Sequence, residues 1–257
     1  MIRAFSLAFC VLLATSPMAL SQSLGLGAGF VELGQTEPEH GEARQSGRIL
    51  MDFTISAHHG IEASAALEET PLGTTGTLTG VAYMRPANGL RYGLFGSLSD
   101  LDGEAASWGY VGAAGIWALS DRLSLWAHGA IGRRVTGPRA GGRLIEPDTL
   151  MGGIDLSATL SDNLIASAAL SVAEFDEWQF RATASELSAG LTYHVPRTPL
   201  GLEASVIHDR LDGPNGAPAE TRLRLGLFIQ FGPRPSQTEM RPFHLSDPIA
   251  QLVRRGM

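Results

Sequence analysis

One cysteine, Cys10, is all the thiol chemistry in the chain, so no intramolecular disulfide framework can be built on it. Aromatic residues are few at 7%, and charged residues are few at 18%. Beyond the first twenty or so residues no run of about 18 apolar residues occurs, which excludes a transmembrane helix from the remainder. Neither sign of charge dominates strongly. With 19 basic against 26 acidic residues the net charge is -7, a balance that argues against a general nucleic-acid partner. A nucleotide loop is also missing: Gly25, Gly27 and Gly29 alternate along an extended pattern instead of leading into a helix.

What is present begins with a leader. Arg3 supplies a positive start, Ala4 to Ala14 an apolar run, and Ala19-Leu20-Ser21 the small residues of a cleavage site. Residues 1–21 therefore read as a secretory signal peptide, with Gln22 as the new N-terminus. Cys10 falls inside the leader, behind Phe9, and is discarded with it. The mature chain then carries no cysteine, which suits a periplasmic route.

The mature chain alternates. Ile49, Met51, Phe53 and Ile55 oppose Arg48, Asp52, Thr54 and Ser56. Ile61, Ala63, Ala65 and Leu67 oppose Glu62, Ser64 and Glu68, and Ile154, Leu156, Ala158 and Leu160 oppose Asp155, Ser157 and Thr159. Successive side chains of a strand point to opposite faces, so each segment has one apolar and one polar wall. The pattern recurs over 23–33, 47–57, 61–69, 76–85, 90–99, 106–118, 122–133, 149–160, 164–174, 179–195, 200–209 and 220–231. Strands of about ten residues are what a tilted crossing of a bilayer needs.

The connections are unequal. Those after even-numbered segments are tight, as at His58-His59-Gly60 and Ser120-Asp121, while 34–46, 134–148 and 210–219 are longer and polar. Phe53, Tyr92, Trp117, Tyr193 and Phe231 all lie on apolar faces near the tight-turn end. Rings gather at one level where one side can be greasy and the other wet. Trp108 and Tyr110 share the parity of the polar face instead. A soluble barrel or sandwich would also alternate, but its small residues (Ala, Gly) would pack a core poorly.

The last segment carries a motif. Leu225, Leu227, Ile229 and Phe231 share one face, and Arg222, Arg224, Gly226 and Gln230 the other. Arg224, Gly226, Ile229 and Phe231 together resemble the C-terminal assembly signal of bacterial outer-membrane β-barrels. The resemblance implies an all-β fold, a transmembrane antiparallel up-and-down barrel of about twelve strands over 22–231. It also implies the cell outer membrane, both barrel ends in the periplasm, and as partners outer-membrane lipid, lipopolysaccharide and the barrel assembly machinery. Residues 232–257, with Pro233, Pro235, Pro242 and Pro248, read as a periplasmic C-terminal extension, with a lumen plug or a binding peptide as the alternatives.

No catalytic constellation is legible. Ser124 and His128 share a face, but four residues of strand set them roughly 13 Å apart, too far for a nucleophile and base. His128, His194 and Asp155 are the remaining group that strand pairing could assemble. Asp100 to Glu104 and Asp209 to Gly213 offer carboxylates in loops without the spacing of a calcium loop, and His58-His59 is an isolated pair. No cofactor is expected. Function is sought on the polar wall, where Arg48, Asp52, Glu62, Arg91, Asp155, Glu203, Arg222 and Arg224 are the lumen candidates. Gly25, Gly27 and Gly29 are expected to leave room beside Arg222 and Arg224 on closure. Two uses of such a wall compete: rings of charge lining a pore for small polar solutes, or charges that pair and fill the interior. The first makes the protein a small porin. The second makes it a structural or surface-interaction barrel, with a lipid-modifying enzyme as the third reading.

Overall fold

The computed structural model describes residues 25–102, 106–136, 149–177, 180–214, 216–232, 243 and 245. They form twelve strands: β1 (Leu26–Pro38), β2 (Arg44–Thr54), β3 (His59–Thr70), β4 (Gly73–Ala87), β5 (Leu90–Leu101) and β6 (Ala106–Ser120), then β7 (Leu123–Thr136), β8 (Thr149–Ser161), β9 (Leu164–Glu177), β10 (Phe180–His194), β11 (Leu200–Asp212) and β12 (Ala217–Phe231). Each strand pairs antiparallel with its chain neighbours, and β12 returns to β1 to close the barrel. Closure leaves no unpaired strand edge.

The alternation sorts side chains between lipid and lumen. Leu33, Leu67, Leu94, Ile154, Leu187 and Leu225 point outward and exposed, and large apolar residues do so on every strand. In water this belt would forfeit about 25 cal/mol for each Å² left wet. The wall is therefore built for hydrocarbon, and the protein is a transmembrane barrel. Among the described residues no helix is long and apolar enough to cross a membrane.

Tyr92, Trp117 and Tyr193 ring the outside at the end where the chain enters and leaves the barrel, called here the terminal end. Phe53 and Phe231 follow the same parity at that level. The opposite, loop end differs from the sequence expectation. β1 runs on to Pro38 and β2 begins at Arg44, so the connection expected over 34–46 shortens to 39–43. Likewise the connection expected over 210–219 shortens to 213–216. Outward Gln35, Glu37 and Gln45 are polar, which breaks the apolar rhythm although the backbone ladder continues beyond the belt. The expected loop over 134–148 lies mostly outside the described residues.

Inside, rings lie against the wall. A Cβ on Gly132 would sit 2.1 Å from the Tyr110 ring, and one on Gly201 would sit 2.0 Å from the Phe228 ring. Only glycine leaves space for an inward aromatic on the neighbouring strand to lie that close. One part of the interior is an apolar cluster that includes Phe95, Tyr110, Ile116, Trp126, Met151 and Phe175. The other part is polar and holds the charged residues.

Candidate functional site in the barrel lumen

All eight lumen candidates lie on the inward face, seven of them in two separate groups and Asp155 by itself on β8. At the terminal end, Asp52 and Glu62 stand opposite each other on β2 and β3. Arg91, on β5, reaches back across Tyr83 to both of them. Its guanidinium is 2.5 Å from the Glu62 carboxylate and 3.7 Å from that of Asp52. It also lies 4.0 Å over the Tyr83 ring. Tyr83 donates its hydroxyl hydrogen to Asp52, and Arg85 approaches the same carboxylate at 3.4 Å. Two acids and two arginines cancel here.

Phe243 completes this group. It is buried, its ring covers Arg91 at 4.3 Å, and its backbone N–H donates to Glu62 at 2.9 Å. The stretch 232–257 was expected to extend outside the barrel. At Phe243 and Leu245, two of its three described residues, the chain differs: Phe243 is enclosed among Tyr83, Arg91 and Glu62, and Leu245 lines the lumen. An apolar ring gains from burial there, and the flat face of a guanidinium accepts it.

The second group sits higher, on β10, β11, β12, β1 and β2. Arg222 is wholly buried and bonds Asp209 at 2.6 Å and Glu186 at 3.2 Å. Arg224 pairs with Glu32 across the seam where β12 meets β1. The register corrects the expectation for the first-strand glycines. Gly29 stands opposite Phe231, whereas Arg224 stands opposite Thr36 and Arg222 opposite Pro38. Antiparallel closure sends the start of β1 to the end of β12, so Gly25, Gly27 and Gly29 lie away from both arginines. The glycine beside Arg224 is Gly34, where a Cβ would sit 2.7 Å from the Ser46 hydroxyl and 3.4 Å from the Arg224 guanidine.

Arg48 lies 5.5 Å over the Phe30 ring. Among the described residues neither Arg48 nor Glu203 makes a hydrogen bond or an ion pair within 4 Å. Both face a cavity of about 270 Å³, also lined by Asp155, Arg222, Arg224 and hydroxyls such as Ser167, Ser188 and Ser205. Every basic side chain of the protein, 19 in all, is arginine. Its charge is fixed at any ordinary pH, and its planar head both stacks and forks.

The other candidates do not assemble. Ser124 and His128 both point inward on β7, and His128 stacks on Trp126 at 4.4 Å. His194 meets Phe228 instead, so the two histidines have different neighbours. Asp155 accepts from Ser157. Asp209 is not a loop carboxylate but an inward residue of β11, and Asp212 pairs with Arg210. Asp100 accepts from Ser107, while Glu104 lies outside the described residues. His59 bonds Ser56 and His58 the Arg85 carbonyl, which makes them turn residues. Among the described residues no three His, Cys, Asp or Glu gather to hold a metal ion.

Sequence reasoning passed over Glu32, Tyr83, Arg85, Trp126 and Phe243. Glu32 follows inward Phe30, and Arg85 follows inward Val81 and Tyr83, so the polar wall of those strands is interrupted by apolar residues. Parity carried through the interruption would have found both. Nothing in the local sequence marks Phe243.

No protein-family model matches the sequence, and no curated protein matches it. Solved structures do resemble the fold. An outer membrane channel from Pseudomonas putida F1 superposes with a TM-score of 0.58 at 13% identity, over 81% of this chain and 96% of that one. The NanC porin gives 0.55 at 10% identity, over 78% and 98%. The KdgM porin gives 0.50 at 11% identity, over 79% and 99%. At such identities the likeness is one of fold, a closed barrel of the porin-like kind.

Proposed function

We propose that the protein is an outer-membrane passive channel for small polar solutes. The observation that carries this reading is the cavity of about 270 Å³, walled by charges and hydroxyls inside a barrel whose outside is apolar. A lumen built only for packing has no use for Arg48 and Glu203 held without ion partners. The leader, the terminal motif and the ring of outward aromatics support the cell outer membrane, with both barrel ends in the periplasm. Outer-membrane lipid, lipopolysaccharide and the barrel assembly machinery are then its partners. The reading includes no enzymatic turnover and no cofactor.

One observation favours the rival, a barrel without transport. Phe243 and the paired charges around Arg91 occupy the terminal end, and aromatic residues fill part of the interior. Planar-bilayer recording of refolded full-length protein separates the two. Discrete conductance steps from the wild type, or from Phe243→Ala, are the expected result. Silence from both overturns the channel reading.

A further inference from the structure

We infer that Phe243 and Leu245 seat the C-terminal tail in the lumen as a releasable latch that closes the terminal end of the cavity; this deepens the channel reading and rests on it. The wall leaves a place for the tail. Asp52 spends both carboxylate oxygens on the barrel, one on the Tyr83 hydroxyl and the other on Arg85 and Arg91. Glu62 spends only Oε2 there, on Arg91 at 2.5 Å. Its Oε1 accepts from the Phe243 N–H at 2.9 Å, and without that bond it keeps no hydrogen bond among the described residues. Glu62 is 2% exposed, so an unanswered oxygen at this point is costly. The Phe243 ring completes the seat, 4.3 Å from the Arg91 guanidinium and 5.9 Å from the Tyr83 ring. A backbone N–H beside an aromatic side chain is what this socket recognises.

The seat lies on the solute path. Ser64, the next inward residue of β3 after Glu62, already lines the cavity. So does Leu245, which packs against the apolar cluster. The hold is nevertheless light. β12 closes on β1 from Gly29 and Phe231 to Pro38 and Arg222, so lifting the tail breaks no hydrogen bond of that ladder. Among the described residues Phe243 and Leu245 make a single hydrogen bond between them. Ten residues, 233–242, separate Phe243 from Gly232 at the end of the wall. A tether that short presents its own segment at about 1 mM. A seat with a dissociation constant of about 0.1 mM is then shut roughly nine-tenths of the time.

The probe is a synthetic peptide of residues 239–247, Glu-Met-Arg-Pro-Phe-His-Leu-Ser-Asp, used with the full-length refolded protein. In single-channel recordings the wild type should step between a low level and one about twofold higher, and Phe243→Ala should stay at the higher. Added peptide should return Phe243→Ala to the low level from one chamber only, because the seat opens toward the terminal end. Anisotropy of a labelled peptide in detergent reads the seat without an open pore. Phe243→Ala should bind it at about 0.1 mM, and the wild type, whose seat is taken, about tenfold more weakly. Replacing the peptide's phenylalanine with alanine, or methylating its backbone nitrogen while keeping the ring, should each weaken binding about tenfold. Phe243→Leu, which keeps an apolar side chain without a ring face, serves where Phe243→Ala does not refold. Equal conductance in wild type and variant, block from both chambers alike, or binding indifferent to both peptide changes overturns the latch alone. Silence from both proteins overturns the channel reading and the latch with it.

Discussion

The two charged groups of the lumen use the same residue types to opposite ends. Around Arg91 every charge is answered: Glu62 and Asp52 take the guanidinium, while the Tyr83 and Phe243 rings pack against it at 4.0 and 4.3 Å. Around Glu203 and Arg48 charges are left facing open space. Partnered charges packed against rings make a solid. Unpartnered charges beside hydroxyls make a solvent path. The difference lies in whether arginine and acid meet directly, as Arg91 and Glu62 do, or stand apart across a cavity, as Arg48 and Glu203 do.

Breaking the buried pairing should have the largest effect. Arg222→Ala leaves Asp209 buried without its cation, and a loss of about 3–5 kcal/mol is expected in urea unfolding of the folded protein. Replacing Arg222, Asp209 and Glu186 together with apolar residues should recover much of that loss, because no lone charge then remains. If the triple variant is as unstable as the single one, the pairing is not the cause.

The outer wall gives an intermediate effect. Leu94 is 70% exposed toward lipid, and Leu94→Arg should cost about 2 kcal/mol in bilayer refolding titrations. Glu203→Gln inside the lumen should leave that midpoint nearly unchanged. A smaller change sharpens the contrast within the lumen itself. Phe243→Ala removes one ring from over Arg91 and should raise single-channel conductance about twofold, with the barrel still folded. An unchanged conductance would show that the paired group, not the ring, sets the resistance. Smallest of all is Arg210→Ala, whose exposed pair with Asp212 should contribute below about 0.5 kcal/mol.

The barrel was legible because lipid and lumen impose opposite demands every second residue, and twelve segments repeat that demand. The strand ends were less legible. Beyond the belt both faces are wet, so β1 continues through Gln35 and Glu37 with nothing apolar to mark it. Arg48, Arg91, Arg222 and Arg224 could be assigned to the polar wall by parity alone, but not their partners. Partnering depends on barrel register, which puts Glu32 beside Arg224 and moves Gly29 to Phe231. Phe243 was beyond reach for a different reason. Its place is set by a contact with Glu62 across 181 residues, and no periodicity encodes that.

The bond between Arg224 and Glu32 joins residues 192 positions apart, yet both belong to neighbouring strands. Every other strand junction lies between consecutive segments and can form as soon as the second of the pair arrives. This one must wait for all twelve, and it carries the loop-closure entropy of the whole wall. It is therefore a clock for assembly: until the last strand docks, Glu32 faces a gap. A circular permutant opened between β6 and β7, with β12 tied directly to β1, would turn that last event into an early local hairpin. The lumen would be the same, and the order in which it is built would be reversed.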